Sequence, residues 1–335
     1  MTTYKKGINL GGWLAQYDRF LDVKAHYATF ITPNDLDQIA SWGADHVRVP
    51  FEFGILTDAT FEYLDRCVEW CKSRGLGVIL DLHYVQGQSY DTLLAVNPMF
   101  LPQGRDIFVK VWDKVAKHFA AAGDEVAFEL FNEAQDNTGY LWNAMIPLGI
   151  AAIRKHNQKS AIYVGSNHMN SVFTLDALPL QEDGNIVYNF HFYEPHPFTH
   201  QRAHFDQDMV EYDTAISFPG GFPHFKAFLD GHPVSRAKSA YLLWHDCDET
   251  VVQRGMEHAK RFRDYTGKPL YCGEFGVIER APEEDAARWA RACVARMREM
   301  DVGYAYWTYK LMDFGLVDEN SRLRFPKLVE AVFQE

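Results

Sequence analysis

No stretch of this 335-residue chain approaches the roughly 18 uninterrupted apolar residues of a membrane-spanning helix. Behind Lys5 and Lys6 there is likewise no apolar run of secretory-leader length. A cytoplasmic protein is expected, or a mature form whose signal has been removed. Basic residues are in deficit. Thirty-three Lys and Arg against 45 Asp and Glu leave a formal charge of −12, which repels nucleic acid and anionic membranes. A neutral or cationic small-molecule partner fits that balance, and oligomeric state leaves no trace. Cysteine is sparse and odd in number. Cys67, Cys71, Cys247, Cys272 and Cys293 form neither a disulfide framework nor a metal-type spacing, so buried, reduced thiols are expected. No Pro/Gly/Ser-rich linker or low-complexity tract divides the chain, so residues 1–335 are expected to form a single domain.

What the chain does contain is alternation. Hydrophobic residues make up 47% and charged residues 23%, enough for a large core. Short apolar, β-branched runs recur at Lys6 to Leu10, Asp45 to Val49, Gly77 to Leu82, Val126 to Leu130, Ala161 to Val164, Ile186 to Phe192, Leu270 to Gly273 and Gly303 to Trp307. Near-continuous apolar runs of this length suit parallel strands buried on both faces. Segments between them carry helical spacing, as in Phe61, Leu64, Val68 and Cys71. Thr32-Pro33 and Ser73-Arg74-Gly75 supply helix start and stop signals. Eight strand-helix repeats predict an α/β fold of the (β/α)8 barrel type.

In such a barrel the residues just past each strand's C-terminal end share one cavity. In order these are Asn9 with Trp13, Arg48, His83 with Tyr84, Asn132-Glu133, Asn167-His168, His191 with Tyr193, Glu274, and Trp307 with Lys310. Two carboxyls stand out. Phe131-Asn132-Glu133 ends an apolar run abruptly, and Glu274 is flanked by Gly273 and Gly276, which allow close approach of a ligand. Paired carboxyls facing each other across a barrel mouth are what glycoside hydrolysis requires: one protonates the leaving oxygen, the other attacks or stabilises the sugar cation.

Bland readings compete. Asn132-Glu133 also suits the N-terminus of a helix. Arg48 within Val47-Arg48-Val49 also suits a structural ion pair with Glu129, a strand residue that needs a partner of its own. His83 alone reads as a core histidine, and Trp13, Trp142 and Trp244 suit a hydrophobic core as well as a sugar. His191, His196, His200 and His204 invite a metal reading, but Pro195 and Pro197 break the helix that would align them and no Cys completes a ligand set.

Together, Gly11-Gly12-Trp13, His46-Val47-Arg48-Val49-Pro50, Asp81-Leu82-His83, Phe131-Asn132-Glu133, His191-Phe192-Tyr193, Gly273-Glu274-Phe275-Gly276 and Tyr306-Trp307-Thr308-Tyr309-Lys310 resemble family 5 of the glycoside hydrolases, the cellulase-type family. The resemblance spans Gly7 to about Asp318. It implies a (β/α)8 fold, retention of anomeric configuration, no cofactor and no metal. Transferred residue by residue, it makes Glu133 the general acid/base and Glu274 the nucleophile. Asn132 would hold the sugar 2-hydroxyl, and Arg48 and Tyr193 would support Glu274. His83, His191 and Trp307 would line the subsite of the cleaved sugar, with Trp13 among the binding residues. The implied activity is hydrolysis of β-linked glucosides, gluco-oligosaccharides or β-glucans, endo-β-1,4-glucanase-like. The same residues serve mannans, β-1,3-glucans and aryl or lipid glucosides, and a carbohydrate-binding barrel without chemistry is the non-enzyme alternative. The interval from His191 to Glu274 is the longest between landmarks, so an extended loop region after strand 6 is expected, the segment from Tyr193 to Lys268, with Phe218 to Pro223 within it, walling one end of the cleft.

Overall fold

The computed structural model describes residues 4–17, 22–55, 58–89, 96–232 and 247–334. Eight parallel strands close into one barrel in chain order: β1 (Lys6–Asn9), β2 (His46–Glu52), β3 (Gly77–Tyr84), β4 (Val126–Glu129), β5 (Ile162–Gly165), β6 (Ile186–Phe192), β7 (Leu270–Phe275) and β8 (Gly303–Tyr306). All eight predicted strands are present, displaced by a few residues at their ends. Pairing of β1 with β8, Gly7 opposite Ala305, completes the ring.

The outer layer is built from amphipathic helices whose buried faces meet the strands. Pro33–Ser41 begins at a capping box between Thr32 and Asp35. Glu249–Thr266 starts on an Asp248 cap and ends at Gly267, where φ is 64°. The β5–β6 connection departs from the expected alternation. It has only the short turn Asn167–Asn170 and the 3-10 helix Val172–Ala177 where a crossover helix is expected. None of the helices among the described residues is long and apolar enough to cross a membrane.

Inside the barrel, the two-residue period of a strand stacks the side chains in layers. The lower layer is apolar and aromatic: Ile79, Ala127, Tyr163, Val187, Tyr271 and Ala305 form one cluster. Two residues further along the strands stand Asp81, Glu129, Asn189, Gly273 and Trp307. The barrel therefore changes from apolar to charged within one step, and the site rests on that step.

Candidate active site

Arg48 organises the charged layer. It is fully buried and reaches four strands. Its Nε and Nη2 donate to the two oxygens of Glu129 at 2.7 and 2.8 Å; Nη1 donates to Glu274 Oε1 at 2.7 Å and Asn9 Oδ1 at 2.8 Å. Nη2 also meets Asn132 Oδ1 at 2.9 Å and Asp81 Oδ2 at 3.0 Å. Both readings of Arg48 hold at once: it is a bidentate ion-pair partner of Glu129 and the support of Glu274. Burial works against its charge, yet Asp81 and Glu129, then Glu274, hold it well above its ordinary value.

Glu274 enters the cavity through a local irregularity. Register shifts on both sides of β7 place His191 opposite Glu274 and break the alternation after Cys272. Gly273 makes this possible, since a Cβ there would meet the Asn189 amide at 2.7 Å. That amide accepts from Gly273 N at 2.8 Å and donates to Glu129 at 2.8 Å, while Asn9 donates to the Gly273 carbonyl at 3.0 Å. The Glu274 carboxylate accepts from Arg48 on Oε1 and from Tyr193 on Oε2 at 2.9 Å. Burial, and then Glu274 itself, raise the Tyr193 phenol well above its usual range, so it remains a donor.

Glu133 lies beyond the end of β4, where the backbone turns left-handed at φ 48°. Its Oε1 is 3.0 Å from His191 Nδ1, which lies 3.6 Å from Glu274 Oε2. Oxygens of the two glutamates approach within 4.8 Å. Burial pushes Glu133 up to about 7 and holds His191 down at about 4. His83 is held by Asp81 through Nδ1 at 2.7 Å and stacks on Trp307, ring centroids 5.5 Å apart and planes within 5°. Asp81 is itself pushed up to about 7, chiefly by burial, and its Oδ1 is buried without a hydrogen-bond partner among the described residues. Three carboxyls thus meet one arginine while Glu133 lies out of its reach, and the two groups pushed upward to about 7 are Asp81 and Glu133.

The structure brings together Arg48, His83, Asn132, Glu133, His191, Tyr193, Glu274 and Trp307, and it excludes Trp13. The Trp13 indole is fully buried and donates to the Tyr27 carbonyl at 2.9 Å, so it packs beneath the helix Val23–Thr29 and cannot meet a sugar. Trp142 is likewise core, donating to the Gly165 carbonyl, and Trp244 lies outside the described residues. Lys310 turns away to the Phe30 carbonyl and Asp35. Asn167 clamps the backbone of Asp136, and His168 is exposed at the mouth. His196 pairs with Asp206 and stacks on His200, which packs against the Tyr193 ring. Phe218 is buried and tied through its backbone to Asp285 and Arg288 of the helix Glu283–Glu299. Asn9, Asp81, Asn189 and Asn170 are site-building residues that sequence reasoning did not assign a role. Strand period alone marks Asp81, two residues before His83 on one face.

A closed parallel barrel whose mouth holds two carboxyls this close, one fed by donors and one pushed toward its protonated form, is the architecture of a glycoside hydrolase. The chain belongs to glycosyl hydrolase family 5, the cellulase family, whose model matches residues 9–312. It is 35% identical over 334 residues to Endoglucanase C of Acetivibrio thermocellus, covering 96% of each chain. To Cellodextrinase A of Ruminococcus flavefaciens it is 32% identical, covering 85% of this chain and 79% of that one. The fold superposes on Thermotoga maritima Cel5A in complex with a mannotriose substrate with a TM-score of 0.78 at 22% identity, covering 98% of this chain and 97% of that one. The protein is a glycosyl hydrolase with a carbohydrate substrate.

Proposed function

We propose that this enzyme cleaves β-1,4-linked glucan chains and gluco-oligosaccharides with retention of configuration, Glu274 acting as nucleophile and Glu133 as general acid/base. The observation that carries the reading is the approach of an oxygen of each carboxyl to within 4.8 Å of the other. An inverting enzyme needs roughly 6.5 to 9.5 Å to admit a water between them, whereas direct attack needs about 5 to 5.5 Å. In the first step Glu274 attacks the anomeric carbon as Glu133 protonates the departing glycosidic oxygen. In the second, Glu133 takes a proton from water, and that water displaces Glu274. Arg48 and Tyr193 donate to the two oxygens of Glu274, and Asn132, whose Nδ2 lies 3.5 Å from His83 Nε2, holds the sugar 2-hydroxyl. His83 and His191 bind sugar hydroxyls, and Trp307 forms the apolar floor.

Relatives above 30% identity carry the names endoglucanase and cellodextrinase, which supports glucan over mannan as the substrate. The −12 charge supports a neutral oligosaccharide partner and neither nucleic acid nor an anionic membrane. Incubation with cello-oligosaccharides, soluble cellulose, mannan and β-1,3-glucan, with product anomers followed by NMR, tests the reading. β-Anomers released first from cello-oligosaccharides are expected; α-anomers, or a preference for mannan, overturn it.

A further inference from the structure

After β5 the chain makes a turn unlike its right-handed helices. His168, Met169 and Asn170 have φ of 50°, 58° and 53°, three successive non-glycine residues in the left-handed region. Each costs on the order of 1 kcal/mol, Asn the least, and such strain persists where the surroundings demand it. What the turn delivers is the Asn170 side chain. It is fully buried, with Nδ2 3.2 Å from His191 Nε2. Gly165, the last residue of β5, leaves the space it occupies, since a Cβ there would stand 2.4 Å from Asn170 Oδ1. That Oδ1 is buried and has no hydrogen-bond partner among the described residues. The contact with His191 is therefore what the buried amide is spent on.

We propose that Asn170 is a positioning residue for the general acid: by donating to His191 Nε2 it fixes the imidazole as its Nδ1–H form, which occupies Glu133 Oε1 and leaves Oε2 to carry the acidic proton. The inference rests on the role given to Glu133 above. A neutral imidazole has one N–H, and the buried His191 is neutral. An amide NH2 can only donate, so Nε2 accepts and the ring proton lies on Nδ1, 3.0 Å from Glu133 Oε1. An oxygen already accepting from an N–H is a poor place for a second proton, so the proton of Glu133 resides on Oε2, the oxygen for which no hydrogen bond is found among the described residues. Once that proton has passed to the departing oxygen, the same Nδ1–H stabilises the new carboxylate. One tautomer therefore serves both halves of the cycle. The opposite tautomer would turn a lone pair toward Oε1 and trap the proton between Glu133 and His191, away from the leaving group.

Two variants test this. Asn170→Asp keeps the size and the left-handed preference but replaces the donor with an acceptor; Asn170→Gly keeps the backbone and removes the amide. Each is assayed for kcat/KM on two aryl β-cellobiosides, one with a phenyl leaving group that needs protonation and one with a dinitrophenyl group that needs little. Asn170→Asp is expected to lose about 10- to 100-fold on the phenyl glycoside and less than about threefold on the dinitrophenyl one, with Asn170→Gly moving in the same sense. Equal losses on both glycosides, or no loss on either, overturn the inference. Should Asn170→Asp not fold, Asn170→Gly decides on the same pair. Glu133→Ala on the same pair is the control: if it fails to discriminate between the leaving groups, the acid assignment is wrong rather than the role of Asn170.

Discussion

The ends of β4 and β7 face each other across the barrel mouth and carry the same functional group, yet they are built in opposite ways. At the β7 end a register shift turns Glu274 inward onto two donors, Arg48 and Tyr193, and only 6% of its side chain is exposed. At the β4 end Glu133 leaves the strand in a left-handed turn, keeps 22% of its side chain exposed, and has His191 as its hydrogen-bond partner. Arg48 touches the first carboxyl and spends its remaining donors on Glu129, Asp81, Asn9 and Asn132, so the second is left to burial and rises to about 7. Two identical groups acquire different environments because one arginine is shared among Glu274, Glu129 and Asp81 and does not reach Glu133, the difference that the proposed nucleophile and acid roles require.

The contrast breaks most completely at Glu274. Glu274→Ala removes the attacking atom, and kcat is expected to fall by about 10^4-fold or more on every substrate, whatever its leaving group. A residual rate within about a hundredfold of the parent on cello-oligosaccharides would move the nucleophile elsewhere. Arg48→Met attacks the shared element instead. It strands Glu129 in the barrel without its bidentate partner, an uncompensated buried charge that costs about 3 to 5 kcal/mol, read as a lowered urea midpoint at unchanged m-value. Activity falls with it. An Arg48→Met protein as stable as its parent would show that Glu129 finds its compensation from Asn189 alone.

Such a shared arginine was only half visible in the sequence. Val47-Arg48-Val49 announces a charge inside the barrel, and Glu129 announces another, but which strands they join depends on the closure, which no local pattern encodes. The strands themselves were legible because parallel strands buried on both faces leave nearly continuous apolar runs. The strand-end carboxyls were legible because those runs stop abruptly at them. Trp13 was misplaced for a physical reason: Gly11-Gly12-Trp13 reads the same whether the indole meets a sugar or a core, and the deciding partner, the Tyr27 carbonyl, belongs to the next helix. Lys310 was misplaced likewise, drawn off by Asp35 from far along the chain. Asn170 gave no signal at all, since nothing in Ser166-Asn167-His168-Met169-Asn170 marks a left-handed run without glycine.

Smaller than the loss at Glu274 is the loss expected at Glu133. Glu133→Gln is expected to lower kcat/KM by about 10^2- to 10^4-fold on cello-oligosaccharides, whose leaving group must be protonated, and much less on a dinitrophenyl glycoside. In the parent, kcat/KM should fall as pH rises through about 7, because the acid form of Glu133 is lost there. Product formation measured from pH 4 to 9 checks both. A profile that stays flat above pH 7 would separate the acid role from the raised group.

The smallest effect is on stability, and there the two ends should differ in sign. A glutamate released from the fold loses its proton near its ordinary 4.5, while folded Glu133 keeps it up to about 7. Below 4.5 both states are protonated and nothing is lost. Between 4.5 and 7 the unfolded chain binds fewer protons than the folded one, so stability declines with pH, and above 7 the full cost of the buried carboxylate is present. Glu133→Gln removes that cost. It should be more stable than the parent by roughly 1 to 3 kcal/mol at pH 8, with the difference vanishing at pH 4. Glu274→Gln turns a carboxylate that accepts from two donors into an amide whose NH2 must face one of them, and should be less stable than the parent by roughly 1 to 3 kcal/mol at pH 8. Urea melts of the three proteins at the two pH values read the signs directly. If both amides stabilise, Arg48 and Tyr193 do not compensate Glu274, and the asymmetry between the ends of β4 and β7 is one of geometry without a difference in charge.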